Sequence, residues 1–161
     1  MDYLIYCHKD IQELIRFSDM KASLIITANS VFLSLIVARA ADVWMRAVGP
    51  PSRPELILLF ILFFVSAMLS LYACLLSIVP SLRSSYRTRL TFFGDISRMK
   101  LDDYLREVMS ATRDDLEYDL AVDVFTISII AMNKYKKVTI GIWSFLVSIF
   151  PMIVLVFLTL L

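Results

Sequence analysis

Three stretches of the chain, residues 22–38, 56–82 and 138–161, contain no Asp, Glu, Lys or Arg. Charges are frequent between them, so the apolar residues are pooled rather than spread. At ~1.5 Å of rise per residue these stretches reach roughly 25, 40 and 36 Å as helices, against a hydrocarbon core of about 30 Å. The second and third span comfortably. The first is short, and a snorkelling Arg39 with Ala40 and Ala41 extends it. The pattern predicts an all-α membrane helix bundle, a single domain over residues 1–161. Its three transmembrane helices fall at about 20–44, 55–80 and 138–161, with a cytoplasmic helical segment at about 83–137.

Small or polar residues recur along each span at helical spacing. In the first they are Asp19, Ser23, Thr27, Ser30, Ser34, Ala38 and Ala41, in steps of 4, 4, 3, 4, 4 and 3, which share one face. The second carries Ser66, Ser70, Ala73, Ser77 and Ser81, and the third Gly141, Ser144 and Ser148. Two readings fit such seams: close helix packing, or a face lining a wet path when the bundle rearranges. Asn29, the costliest uncharged side chain of the first span, either satisfies itself across a helix interface or faces a pore.

Outside the spans, Tyr3, Leu4, Ile5, Ile11, Leu14, Ile15 and Phe17 alternate with Asp10, Glu13 and Arg16, predicting an amphipathic helix running into the first span. Gly49-Pro50-Pro51-Ser52-Arg53-Pro54 breaks the chain, with Pro54 where a helix begins. Trp44 and Trp143 are placed as interfacial anchors, Pro80 loosens the inner end of the second span, and Pro151 kinks the third. Thr91 to Ser97 reads as a tight turn with a helix cap at Asp95 or Ser97. From Leu101 to about Lys137 the pattern is helical. Leu101, Tyr104, Leu105, Val108, Met109, Thr112, Leu116 and Leu120 lie on one side, and Asp114, Asp115, Glu117, Asp119 and Asp123 form a solvated face on the other.

Composition agrees: 59% of residues are apolar and the mean hydropathy is +0.75. A net charge of +1 gives no basic signature for nucleic acid. The distribution of that charge says more. Thirteen of the 16 basic residues precede the first span or separate the second from the third, and only Arg39, Arg46 and Arg53 lie between the first and second. The positive-inside rule then orients a multi-pass membrane protein with its N-terminus and central segment cytoplasmic. Arg83, Arg87 and Arg89 serve as juxtamembrane anchors for anionic lipid. Ala38-Arg39-Ala40 resembles a signal-peptidase site, but the acidic, helical stretch before it is unlike a signal peptide, so the span is retained.

Candidate chemistry is sparse. There is no phosphate-binding, dinucleotide-binding, zinc-protease or nucleophile-elbow motif, and the single histidine, His8, has no Ser or Cys partner by spacing. The two cysteines, Cys7 and Cys74, fall in different compartments. No enzyme, metal or cofactor is expected. A long last helix leaving the bilayer beside the inner end of the first brings Arg16, Lys21 and Lys134 into one neighbourhood, with Phe92, Phe93 and Tyr104 nearby. Cations with aromatic rings suit a small anion bearing a planar ring, although positive-inside anchoring predicts similar lysines.

Four motifs occur in order: Ser18-Asp19-Met20-Lys21-Ala22, Thr91-Phe92-Phe93-Gly94-Asp95-Ile96, Asp103-Tyr104-Leu105, and Asp119 followed by Asn133-Lys134-Tyr135. Together they resemble the transmembrane effector family of Pycsar antiphage defence, over essentially the whole chain. The resemblance implies a functionally paired pyrimidine nucleotide cyclase that makes a cyclic mononucleotide, cUMP or cCMP, during infection. It further implies an effector that senses this ligand, impairs the inner membrane and causes abortive infection. No β-rich nucleotide-binding domain is present, so the ligand is expected among the cytoplasmic helices, at Arg16, Lys21, Phe93, Tyr104 and Lys134, in a homo-oligomer. The alternatives are an adaptor membrane subunit or a constitutive holin-like pore, neither with a nucleotide ligand.

Overall fold

The computed structural model describes residues 1–49, 53–79, 90 and 93–160. Among them there is no strand. The helices are α1 (Asp2–Ala38), α2 (Ala40–Val48), α3 (Glu55–Ile78), α4 (Phe93–Ile96), α5 (Leu101–Ser110) and α6 (Arg113–Leu160). α1, α3 and α6 are each long and apolar enough to cross a membrane. The chain forms two compact units, Ser18–Val79 with Lys134–Leu161, and Met1–Phe17 with Pro80–Asn133.

The first unit contains the apolar stretches. Ile36, Val43, Ala47, Leu56, Phe63, Ala67 and Leu155 form one buried cluster, and Ala22, Cys74 and Val138 a second. Phe32 and Phe145 stack at 5.6 Å beside the first cluster. Gly141 is what lets α6 approach α3: a Cβ there would collide with Cys74 Sγ and come within 3.4 Å of the Ser70 carbonyl. The approach lets Ser70 Oγ donate to the Gly141 carbonyl at 2.8 Å, fully buried. Asn29 is also fully buried and donates from Nδ2 to the Ala67 carbonyl at 2.9 Å, tying α1 to α3. Its Oδ1 has no partner among the described residues.

The seams divide. Ser66, Ser70, Ala73 and Ser77 of α3 are buried, as are Gly141 and Ser148 of α6, while Ser144 is half-buried; Ser81 lies outside the described residues. On α1 the buried residues are Ser18, Ala22, Asn29 and Ile36, whereas Ser23, Thr27, Ser30 and Ser34 are exposed. Each of those four hydroxyls donates to the carbonyl four residues back, Thr27 to Ser23 at 2.9 Å for instance. Their polarity is satisfied within the helix, so a neighbouring helix is not required for it. Within one chain, α1 therefore packs through a different stripe from its hydroxyl one.

Helix boundaries also differ from the pattern. The first span is interrupted at Arg39, whose N–H bonds back to the Ile36 carbonyl at 3.1 Å in a tightened last turn, and α2 starts afresh. Pro151 is buried inside α6, which continues to Leu160. Pro80 lies outside the described residues.

In the second unit the expected helix from Leu101 is split at Ala111–Thr112. Thr112 Oγ1 receives the Asp115 N–H at 3.2 Å, and Asp115 Oδ2 receives the Thr112 N–H at 3.0 Å. This reciprocal cap satisfies donors that a helix start leaves free, and it ends one helix by starting another. The acidic residues are not one solvated face. Asp114 is exposed, but Asp115 caps α6, Glu117 meets the Met1 ammonium at 2.7 Å, Asp119 accepts the Leu90 N–H at 3.2 Å, and Asp123 is buried with His8 Nε2 3.9 Å away. Conversely, the apolar side of α5 is open: Leu101, Leu105 and Met109 are exposed.

Candidate functional site

Opposite charges meet where α1 and α6 pass through the first unit. Lys134 Nζ donates to Asp19 Oδ1 at 2.6 Å, with the lysine side chain 10% and the carboxylate 36% exposed. An ammonium so enclosed is held by its partner; losing it would leave a desolvated charge. Lys21, two residues on from Asp19, sits over the Tyr135 ring at 5.9 Å, a cation–π arrangement. Three residues on, Lys137 Nζ donates to the Leu76 carbonyl at 3.0 Å, in the last turn of α3 where carbonyls lack intrahelical partners. Ser77 Oγ approaches the Lys134 carbonyl at 3.5 Å.

The run from Lys134 to Lys137 thus fastens α6 to α1 and α3 through the Lys134, Tyr135 and Lys137 side chains and the Lys134 carbonyl. This clasp is where the chain keeps cations beside an aromatic ring. Lys134 is already matched to a carboxylate, and Lys21 is exposed on its free side. An anion that outcompetes Asp19 for Lys134 and also reaches Lys21 would break the Asp19–Lys134 pair and put a different bridge between α1 and α6 in its place.

The remaining expected ligand residues lie in the second unit. Arg16 is exposed on α1, Phe93 opens α4, and Tyr104 is half-buried on α5; Phe92 lies outside the described residues. This unit has a cavity of about 260 Å³ lined by Leu90, Glu107, Ser110, Asp115, Tyr118 and Asp119, with Ala111 at its edge. Among the described residues three carboxylates and no cation line it, and the carboxylates disfavour a phosphate by like-charge repulsion. Among the described residues no group of three His, Cys, Asp or Glu could hold a metal ion. The Met1 ammonium beside Glu117 holds that carboxyl below its ordinary pKa.

The Asp19–Lys134 pair was missed at the sequence level, although opposite charges at the ends of two spans were its signal. The same holds for Asp123, whose burial against His8 follows from the helical face it shares with Leu120 and Leu116.

No curated protein and no solved structure matches the chain. A family model described as the Pycsar effector protein domain, PycTM, matches residues 3–161.

Proposed function

The chain belongs to the Pycsar effector family, and from that premise we propose that it is an antiphage effector of the inner membrane that responds to cUMP or cCMP. Its paired cyclase supplies the nucleotide during infection, and the response impairs the membrane and ends in abortive infection. The observation that carries the reading is the family match over nearly the whole chain. The clasp at Asp19, Lys21, Lys134 and Tyr135 supplies its physical form.

In the resting chain Asp19 occupies Lys134. A cyclic nucleotide brings one phosphate negative charge and a flat pyrimidine. The phosphate replaces the Asp19 carboxylate on Lys134 and draws in Lys21, and the base takes the place of the Lys21 ammonium against Tyr135. A ligand shifts such an equilibrium only through higher affinity for the exchanged state, in which Asp19 no longer holds Lys134. Going from about 1:99 to 99:1 takes roughly 5.5 kcal/mol of differential binding, reached more readily when several subunits each bind one ligand, so the effector works as a homo-oligomer. Arg16, Phe93 and Tyr104 have no assigned contact in this scheme.

The test is direct binding. Purified protein in detergent is titrated with cUMP, cCMP and a cyclic purine nucleotide while its thermal midpoint is followed. One pyrimidine nucleotide raises the midpoint with rising concentration; unchanged midpoints with both defeat the reading.

A further inference from the structure

Part of α6 lies outside the apolar stretch that begins at Val138, and it carries large hydrophobic side chains into the open. Tyr118 is 61% exposed, Phe125 67%, Ile129 42% and Met132 59%, and half-buried Val122 completes a spacing of 4, 3, 4 and 3. That is the repeat by which one helix reads another along a seam. The opposite face of the same stretch, with Asp123 and Ala131 buried, is already packed within the chain. The exposed stripe is thus a second apolar face, and water is a poor cover for it.

We propose that this stripe, from Tyr118 to Met132, is the contact surface for a second copy of the chain, the two α6 helices pairing parallel and in register. The proposal rests on the homo-oligomeric reading above and names its interface. Three observations select a second copy as the occupant. First, α6 continues into a membrane-crossing stretch, so any two copies in one bilayer present it in the same direction. Second, in-register parallel pairing of identical helices brings the two flanks of the stripe together across the seam, so flanks of a single charge sign would repel. Here the flanks Ala121, Thr126, Ser128 and Asn133 are neutral, and charge enters only at the two ends, at Asp119 and Lys136. A foreign partner chosen by charge would find none to read there. Third, the size fits a tethered, reversible pair. These side chains offer on the order of 400 Å² per copy, about half the ~800 Å² per partner of a standard stable interface, and confinement to one bilayer raises the effective concentration enough to use it. At the upper end Asp114 and Asp119 would face each other across the pair, so the contact stops at Tyr118.

The test is cross-linking of full-length protein in native membranes without nucleotide, in a Cys7→Ser, Cys74→Ala background. Phe125→Cys and Met132→Cys are expected to give a covalent dimer under mild oxidation, and Met109→Cys, on the exposed face of α5, is not. A dimer at Met109→Cys alone, equal yields at all three, no dimer, or a cross-link to a different protein would each overturn the surface. Phe125→Ser with Ile129→Ser, both exposed in the single chain, provides the second measurement: by single-molecule photobleaching the dimer fraction should drop at least tenfold, and an unchanged fraction counts against the proposal. Because no nucleotide is present, these outcomes are read separately from the nucleotide response of the wild-type protein, whose loss would count against the function instead.

Discussion

Lys134 shows how one residue can be legible in kind and not in state. Its charge at the end of an apolar stretch marks a membrane boundary, yet only the fold places Asp19 at 2.6 Å from it. Because the lysine is enclosed and the carboxylate a third exposed, Lys134→Ala should destabilise by on the order of 1–2 kcal/mol, less than a fully buried pair would lose. Asp19→Asn removes the competitor for the phosphate, so half-maximal response should shift to lower nucleotide concentration in a dye-release titration; a shift to higher concentration would show the carboxylate to be part of the ligand site. Gly141 makes a second residue-scale case. Gly141→Ala forces a methyl onto Cys74 and should cost about 1–3 kcal/mol, and adding Cys74→Ala should recover most of the loss in a denaturant-stability assay. The glycine was visible in the sequence as one position of a seam, but its contact with Cys74 depends on how two helices cross, which spacing along either one does not encode.

Among the elements, α3 and the membrane part of α6 follow from charge-free length, because a hydrocarbon core leaves few other options, whereas the shorter stretch in α1 gains its length from the amphipathic helix that runs into it. Interruptions were harder to read. Thr112-Arg113-Asp114-Asp115 has the spacing of a reciprocal cap, but the apolar positions on either side continue at helical period and hid the break at Ala111. Thr112→Ala should cost ~1 kcal/mol of local stability, seen as roughly fivefold faster amide exchange in the first turn of α6. The expected solvated acidic face failed for a related reason: a 3.6-residue period sorts residues by direction, not by what stands opposite. Glu117 is the exception with a pH signature. Its pKa is lowered by the Met1 ammonium, so the attachment of the α1 start to α6 is fully present above the ordinary glutamate value of about 4.3. It is lost as pH falls through the lowered value. Amide exchange in the first turns of α1 should accelerate on acidification, and Glu117→Gln should flatten that dependence.

For the whole molecule, composition and pooling of apolar residues made the membrane bundle legible, and the ordered motifs made the family so. What they left hidden is the pairing between elements: which stripe of α1 packs inward, which carboxylates are engaged, and where cations are already neutralised. Those pairings are what the proposed nucleotide response would act on. In the proposed function, exchange at the Asp19–Lys134 tie links nucleotide to membrane damage. Its most direct test is dye release from liposomes containing either the wild-type chain or Asp19→Lys with Lys134→Asp, in which the tie is kept with its charges reversed. Wild-type liposomes should leak on addition of cUMP or cCMP, and the reversed pair should insert, stay folded and remain tight. Equal leakage from both would contradict the account.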